Sequence, residues 1–397
     1  MKRLIFLLIL ALALTACAGE AEPTTLTVPT ELPTLPTETT LPPETTVPPS
    51  QEELLLESMS LRQKIGQLFF VAPEGLVPDQ MPVRAFSEEL AVALERYPVG
   101  GIILFADNLQ NPDQLKELTA ALSEAGEIPM FLGVDEEGGV VARLANHASF
   151  DLPRYRSAAS VGASGDPEDA FDMGKTIGTY LREYGFHVDF APVADVNTNP
   201  WNPIIGTRAF SSDAHLAALL VEAMADGLND GGILATYKHF PGHGDTAEDS
   251  HAGIAVSWKT EEEMLSCEWL PFLSAGENDF VMVGHVAVPE LTGDRTPATM
   301  SYLVVTEKLK GELGFSGLVI TDSMSMGAVT KTYSAGEAAV NALLAGCDIL
   351  LMPEDLPEAF EAVLDAVAEG TIPEEQLDGI VLRILKAKIE AGLIPKS

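Results

Sequence analysis

The sequence predicts an α/β chain whose main domain is a single (β/α)8 barrel of the TIM type, on three observations. Eight short apolar runs recur along the chain, segments of helical period separate them, and polar residues close most of the runs. The runs are 65–71, 99–105, 129–135, 187–195, 233–240, 280–286, 317–322 and 347–352. They are continuously apolar rather than alternating, which is the pattern of parallel strands buried on both faces. Between them, segments 114–125, 214–229 and 335–345 repeat Leu and Ala at intervals of three and four, the period of a helix with one buried side. An open doubly wound sheet is the competing arrangement, but no Gly-x-Gly-x-x-Gly turn opens any of the helices.

A barrel makes a checkable demand, because its functional groups gather at the carboxyl ends of the strands. The runs end in Asp107 and Asn108, Asp135, Asp195 and Asn197, Lys238 and His239, His285, Asp322, and Glu354 and Asp355. A charged residue closing one run is an ordinary solvent cap. The same feature on six runs points to a site.

The first residues have another character. Lys2 and Arg3 precede an apolar stretch, 4–14, and then Leu14-Thr15-Ala16-Cys17, the order of an export signal with a small-residue cleavage point. The stretch is too short for a bilayer span, which takes about 20 apolar residues. Its end resembles the bacterial lipoprotein signal, which implies that Cys17 is lipidated; an ordinary cleaved signal is the alternative. Residues 20–50 are mostly Pro, Thr and Glu with no apolar period, so they read as a disordered, extended linker. The expected organisation is a signal peptide over 1–16, a lipidated cysteine and linker over 17–51, and one catalytic domain over 52–397. The expected location is extracytoplasmic, tethered to the bacterial cell membrane.

Asp and Glu number 59 against 23 Lys and Arg, a formal net charge of -36, and removal of Lys2 and Arg3 with the leader leaves the rest more acidic still. That balance excludes nucleic acid as a partner. Besides Cys17 there are only Cys267, in a helical pattern, and Cys347, in an apolar run. They suggest no disulfide framework, and both are expected as buried thiols. A monomer is expected.

The densest chemistry lies in Tyr237-Lys238-His239-Phe240-Pro241-Gly242-His243-Gly244-Asp245-Thr246-Ala247-Glu248-Asp249-Ser250-His251, which holds three of the seven histidines. This segment resembles the signature of the β-N-acetylhexosaminidases of glycoside hydrolase family 3. Further motifs agree: Gly133-Val134-Asp135-Glu136-Glu137-Gly138-Gly139 with Arg143, then Ile205-Gly206-Thr207-Arg208-Ala209-Phe210, then Ile320-Thr321-Asp322-Ser323-Met324-Ser325-Met326. The resemblance implies a retaining exo-glycosidase acting on terminal β-linked N-acetylglucosamine in cell-wall or chitin-derived fragments. It implies Asp322 as nucleophile, His251 as general acid/base and Asp249 as its partner. Asp135, Arg143, Arg208, Lys238 and His239 are implied as the sugar-binding set. Two positions depart from the family pattern: Glu136 stands where Gln is usual and Val140 where Arg is frequent, which touches subsite geometry rather than reaction class.

The residue types suit these roles on chemical grounds. A carboxylate of ordinary pKa, about 3.9 for Asp, is ionised and nucleophilic at neutral pH. A histidine near 6.5 can give a proton to the leaving oxygen and later take one from water, and an aspartate beside it would hold its tautomer. Trp201, Phe210 and Phe240 are candidate platforms for a pyranose face, or else packing. Two rival readings remain. In a metal-dependent barrel hydrolase, His239, His243, Asp245 and His251 would be ligands, but the first run ends Phe70-Val71-Ala72-Pro73 without a His-x-His, and no His-Glu-x-x-His occurs; no metal or other cofactor is expected. In a lipid-anchored sugar-binding protein, a nucleophile and a proton donor together would serve no purpose.

Overall fold

Each of the eight apolar runs contains a strand, and each strand is followed by a helix. The computed structural model describes residues 48–247 and 253–396. Its chief strands are β1 (Phe69–Val71), β2 (Gly101–Ile103), β3 (Phe131–Val134), β4 (Val188–Asp189), β5 (Thr236–Phe240), β6 (Phe280–Val283), β7 (Leu318–Thr321) and β8 (Leu350–Leu351). Every residue of these strands is buried, which is why the runs do not alternate. Helices α1 (Gln51–Ser58) and α2 (Leu61–Gly66) precede the strands. Then α3 (Glu88–Arg96), α4 (Pro112–Glu124), α5 (Pro167–Glu183), α6 (Ala214–Asp230), α7 (Glu261–Ser266), α8 (Leu303–Glu312) and α9 (Ala335–Ala345) alternate with them, and α10 (Leu356–Ala368) and α11 (Glu374–Glu390) follow β8.

Local sequence explains the boundaries. Asn111 caps α4, with Pro112 at its first position, and Ser334 and Glu337 form a reciprocal capping box on α9, satisfying N–H groups that have no partner within the helix. The same device at Ser60 and Gln63 places Ile65 inside α2 rather than in the first strand, so that run is half helix. In run 187–195 only Val188 and Asp189 pair regularly; Pro192, which has no N–H to give a ladder, interrupts the rest. The helix α1 starts at Gln51, one residue before the expected domain start, capped by Ser50.

All ladders between these strands are parallel. One sheet has the order β8-β1-β2-β3-β4 and a second the order β7-β6-β5. Single parallel bridges join their margins: Val188 with Leu234 and Val193 with Lys238 beside β4, and Ile320 with Ile349 between β7 and β8. Thus the regular pairing falls into a five-stranded and a three-stranded sheet rather than one uniform ladder. Within the larger sheet Phe70 occupies space left by two glycines: a Cβ on Gly101 would lie 2.5 Å from its ring, and one on Gly133 2.8 Å. Phe190 meets the same ring edge-on, with centroids 5.3 Å apart, so close-packed aromatic groups fill the interior.

Two other interior groups matter below. Lys388 of α11 is wholly buried, donates to Gln67 Oε1 at 2.5 Å and lies over the Phe131 ring; burial lowers its ammonium to about 7. Cys347 is buried as expected, and burial pushes its thiol up to about 12. Cys267 is only half-buried, because it follows the last residue of the short α7. Among the described residues no helix is long and apolar enough to cross a membrane. The leader, Cys17 and the linker up to residue 47 lie outside the described residues.

Candidate active site

Because the strands run in one direction, the carboxyl-terminal ends of β3, β5 and β7 open on the same side. There Asp135, Arg143, Arg208, Lys238, His239 and Asp322 line one cavity of about 480 Å³. All six were singled out by sequence. Of the proposed set, Asp249 and His251 lie outside the described residues. Other strand-end polar groups do not join the cavity: Asn108 is buried against Glu74 and the Val83 carbonyl, and Asp355 caps α10.

Charge pairing organises the wall. Asp135 accepts from Arg143 Nη2 and from Lys238 Nζ, both at 3.0 Å. Lys238 also meets Glu137 Oε1 at 2.6 Å, and Arg208 grips the two Glu137 oxygens at 2.7 and 2.8 Å. Burial alone would raise the Glu137 carboxyl, but Lys238 and Arg208 hold it well below the usual carboxylate range. Conversely, burial disfavours the Lys238 ammonium, and Asp135 and Glu137 more than restore it. The group is therefore a network of paired charges whose core, Glu137 and Lys238, is buried, an arrangement suited to gripping hydroxyl groups.

Adjacent residues of a strand ordinarily face opposite ways, yet Lys238 and His239 both reach the cavity, where the β5–β6 register shifts between Lys238 and Phe240. His239 donates Nδ1–H to Asp195 Oδ2 at 2.7 Å, and the other Asp195 oxygen accepts the His243 N–H at 2.6 Å. This fixes the ring so that Nε2 is the nitrogen left to address a ligand. Asp322 stands deep in the cavity with part of its surface open to it. Burial raises its carboxyl, but the His239 and His285 imidazoles and the Ser323 N–H, 2.7 Å from Oδ1, bring it below the ordinary value. It is a carboxylate poised to stay ionised.

The loop carrying Arg208 is tied to the loop that leads to Asp249. Asn199 donates its N–H to the Gly244 carbonyl at 3.1 Å and its side-chain amide to Thr246 O at 2.9 Å, and Asn202 donates to His243 O at 2.7 Å. Beyond these, Asp245 accepts from the Ser257 hydroxyl at 2.7 Å, which ties this loop to the residue after the short strand Ala255–Val256.

Sequence reasoning gave Glu137 no role of its own; it marked Asp195 and His285 as polar run ends and His243 as a candidate metal ligand, without the partnerships found here. The signal for Glu137 was the consecutive run Asp135-Glu136-Glu137 at a strand end. Glu136 is turned the other way, wholly buried, accepting from the Leu144 and Ala145 N–H groups and the Tyr180 hydroxyl, so the departure from Gln there lies behind the cavity. Phe210 and Phe240 are core: Phe240 packs on Trp269 and Phe272. The aromatic ring at the cavity is Phe105, under the Arg143 guanidinium, whereas Trp201 is 87% exposed. Among the described residues no group of three His, Cys, Asp or Glu side chains is placed to hold a metal ion.

Comparison with known proteins places the chain in a family. Residues 60–387 match the glycosyl hydrolase family 3 N terminal domain. Beta-hexosaminidase A of Pseudoalteromonas piscicida is 33% identical over 330 residues, covering 76% of this chain and 55% of that protein. A beta-hexosaminidase of Stenotrophomonas maltophilia is 36% identical over 282 residues, 68% of this chain and 81% of its own length. The solved structure of a glycoside hydrolase family 3 beta-N-acetylglucosaminidase from Paenibacillus sp. str. FPU-7 superposes with a TM-score of 0.79 at 36% identity, over 86% of this chain and 64% of that one. The chain thus spans little more than half of the first relative and under two thirds of the solved one. With its matched domain running through both the paired wall and Asp322, the chain belongs to glycosyl hydrolase family 3.

Proposed function

We propose that the protein is a retaining exo-glycosidase that releases terminal β-linked N-acetylglucosamine, with Asp322 as nucleophile and His251, supported by Asp249, as acid/base. The observation that carries the reading is the ionised Asp322 facing a wall of paired charges in one cavity; the names of the relatives above support the same activity. The Ser323 N–H holds Asp322 Oδ1, so Oδ2 attacks the anomeric carbon. The imidazolium of His251 gives its proton to the departing glycosidic oxygen and becomes neutral imidazole. The same ring then takes a proton from water, which cleaves the glycosyl-aspartate with net retention. Asp135, Arg143, Arg208, Lys238 and His239 bind the sugar. The substrates are glycan fragments from cell wall or chitin.

The decisive assay is release of nitrophenol from the aryl β-N-acetylglucosaminide set against the aryl β-glucoside. Preference for the former is expected. Release from neither would favour a sugar-binding protein.

The proposed architecture is a closed (β/α)8 barrel, supported by the parallel bridges that link the margins of the two sheets. The protein acts outside the cytoplasm, held to the membrane through lipidated Cys17, with 17–51 as spacer and 52–397 as the catalytic domain; the support is the leader sequence. Replacing Cys17 by Ala should move the activity from the membrane fraction to the soluble one, and retention of the variant in the membrane would refute the anchor.

A further inference from the structure

His285 lies past the end of β6, is wholly buried, and meets the backbone of the segment that carries Asp322. Its Nε2 is 2.9 Å from the Ser323 carbonyl, and its Nδ1 is 2.9 Å from the Thr299 hydroxyl. A carbonyl oxygen can only accept, so Nε2 carries the hydrogen. In the neutral ring Nδ1 is then an acceptor, and the Thr299 hydroxyl, itself fully buried, supplies the proton it needs. One tautomer satisfies both contacts. The flipped tautomer sets a lone pair against the carbonyl.

The grip is two-sided. The Asp322 N–H donates to the Val283 carbonyl at 2.8 Å, while the Ser323 carbonyl is held by His285, two residues further along the same segment. Between these points the Ser323 N–H orients Asp322 Oδ1 at 2.7 Å. Hence the peptide that aims the carboxylate is fixed at both ends by the β6 terminus.

We propose that His285, locked in its Nε2–H tautomer by Thr299, is a positioning residue that aims the Asp322 carboxylate by holding the Ser323 carbonyl. The proposal rests on the assignment of Asp322 as nucleophile. It gives a buried histidine that makes no contact with substrate a defined part in the rate, since an error of about 1 Å in the attacking group costs roughly 10² in rate.

The test compares His285→Gln, whose amide nitrogen reaches the Nε2 position, with His285→Leu, which has no donor. Steady-state rates with a nitrophenyl β-N-acetylglucosaminide are measured on full-length protein, with thermal melting as the folding check. His285→Leu should lose about 10²-fold in kcat with KM little changed, and His285→Gln should recover most of that loss. Thr299→Val, which keeps the shape and removes the hydroxyl, should lower kcat and leave KM alone, and it decides the matter if His285→Leu does not fold. Equal losses in the Gln and Leu variants, wild-type kcat in Thr299→Val, or a change confined to KM would each overturn the proposal. Inactivity of the wild type on this substrate would instead strike the functional assignment.

Discussion

Glu137 accepts two parallel hydrogen bonds from the Arg208 guanidinium and a third from Lys238, so one carboxylate two residues past Asp135 sets the position of two cations, one from a loop and one from β5. Glu137→Gln removes a buried charge and leaves Lys238 and Arg208 short of their counterion. Removing one partner of such a pair costs about 3–5 kcal/mol, and kcat/KM should fall with it. The folded carboxyl titrates below its unfolded value of about 4.5, so its stabilisation is complete above that pH and is lost as pH falls through the depressed folded value. Urea unfolding from pH 7 down to pH 3 should show the wild type losing its advantage over Glu137→Gln below about pH 4.5; a constant difference would contradict the pairing.

Asp322→Ala should abolish turnover whatever the leaving group, because no glycosyl-enzyme can form. His251→Ala should lose about 10² to 10⁴ on substrates with poor leaving groups, the range of a general acid. On dinitrophenyl glycosides it should lose far less in the first step. Azide should restore its turnover and give a β-glycosyl azide, with Asp249→Asn intermediate. The same loss on good and poor leaving groups, without azide product, would move the acid/base elsewhere.

Lys388→Met should stabilise the protein at neutral pH. The folded ammonium titrates near 7, below the ordinary value of about 10.4. Between those values the unfolded chain carries a proton that the folded one does not, so acid weakens the fold by about 1.4 kcal/mol per pH unit until the folded group protonates. The gain from Met should therefore be largest at pH 7 and below and vanish near pH 10.5, less a constant loss from the Gln67 oxygen that Lys388 now satisfies. Chemical denaturation at pH 7 and pH 10 measures it, and a pH-independent difference would mean that this amine does not titrate in the window.

Chelation should leave the rate unchanged, because each step has a side chain assigned to it. Prolonged EDTA treatment with zinc add-back is the check. Loss of rate that zinc restores would revive the metal-dependent reading.

What sequence made legible was whatever is written in consecutive residues. The eight apolar runs announce strands buried on two faces, and Asp135, Lys238, His239 and Asp322 were visible because each ends a run. Capping chemistry was missed in the first run, where Ser60 and Gln63 turn Ile65 into helix. Pairings between distant residues were not legible: Glu137 with Arg208 are 71 positions apart, Asp195 with His239 44, and His285 with Ser323 38. Such partners are chosen by the fold, and no local period or motif spacing records them. Aromatic roles failed for the same reason, since Phe240 and Phe105 look alike in sequence while one faces Trp269 and the other the cavity.

A β-carbon at Gly244 would stand 1.8 Å from the Val196 carbonyl. The chain segment that goes on to Asp249 is thus nested backbone to backbone in the loop that ends at Arg208, and Asn199 and Asn202 stitch the two together. They form one interchangeable cassette rather than two. Grafting 242–257 from a homologue without its own 196–208 loop would separate the proposed proton donor from the loop that carries the proposed sugar-binding Arg208. Substrate preference in chimaeras should therefore travel with the pair.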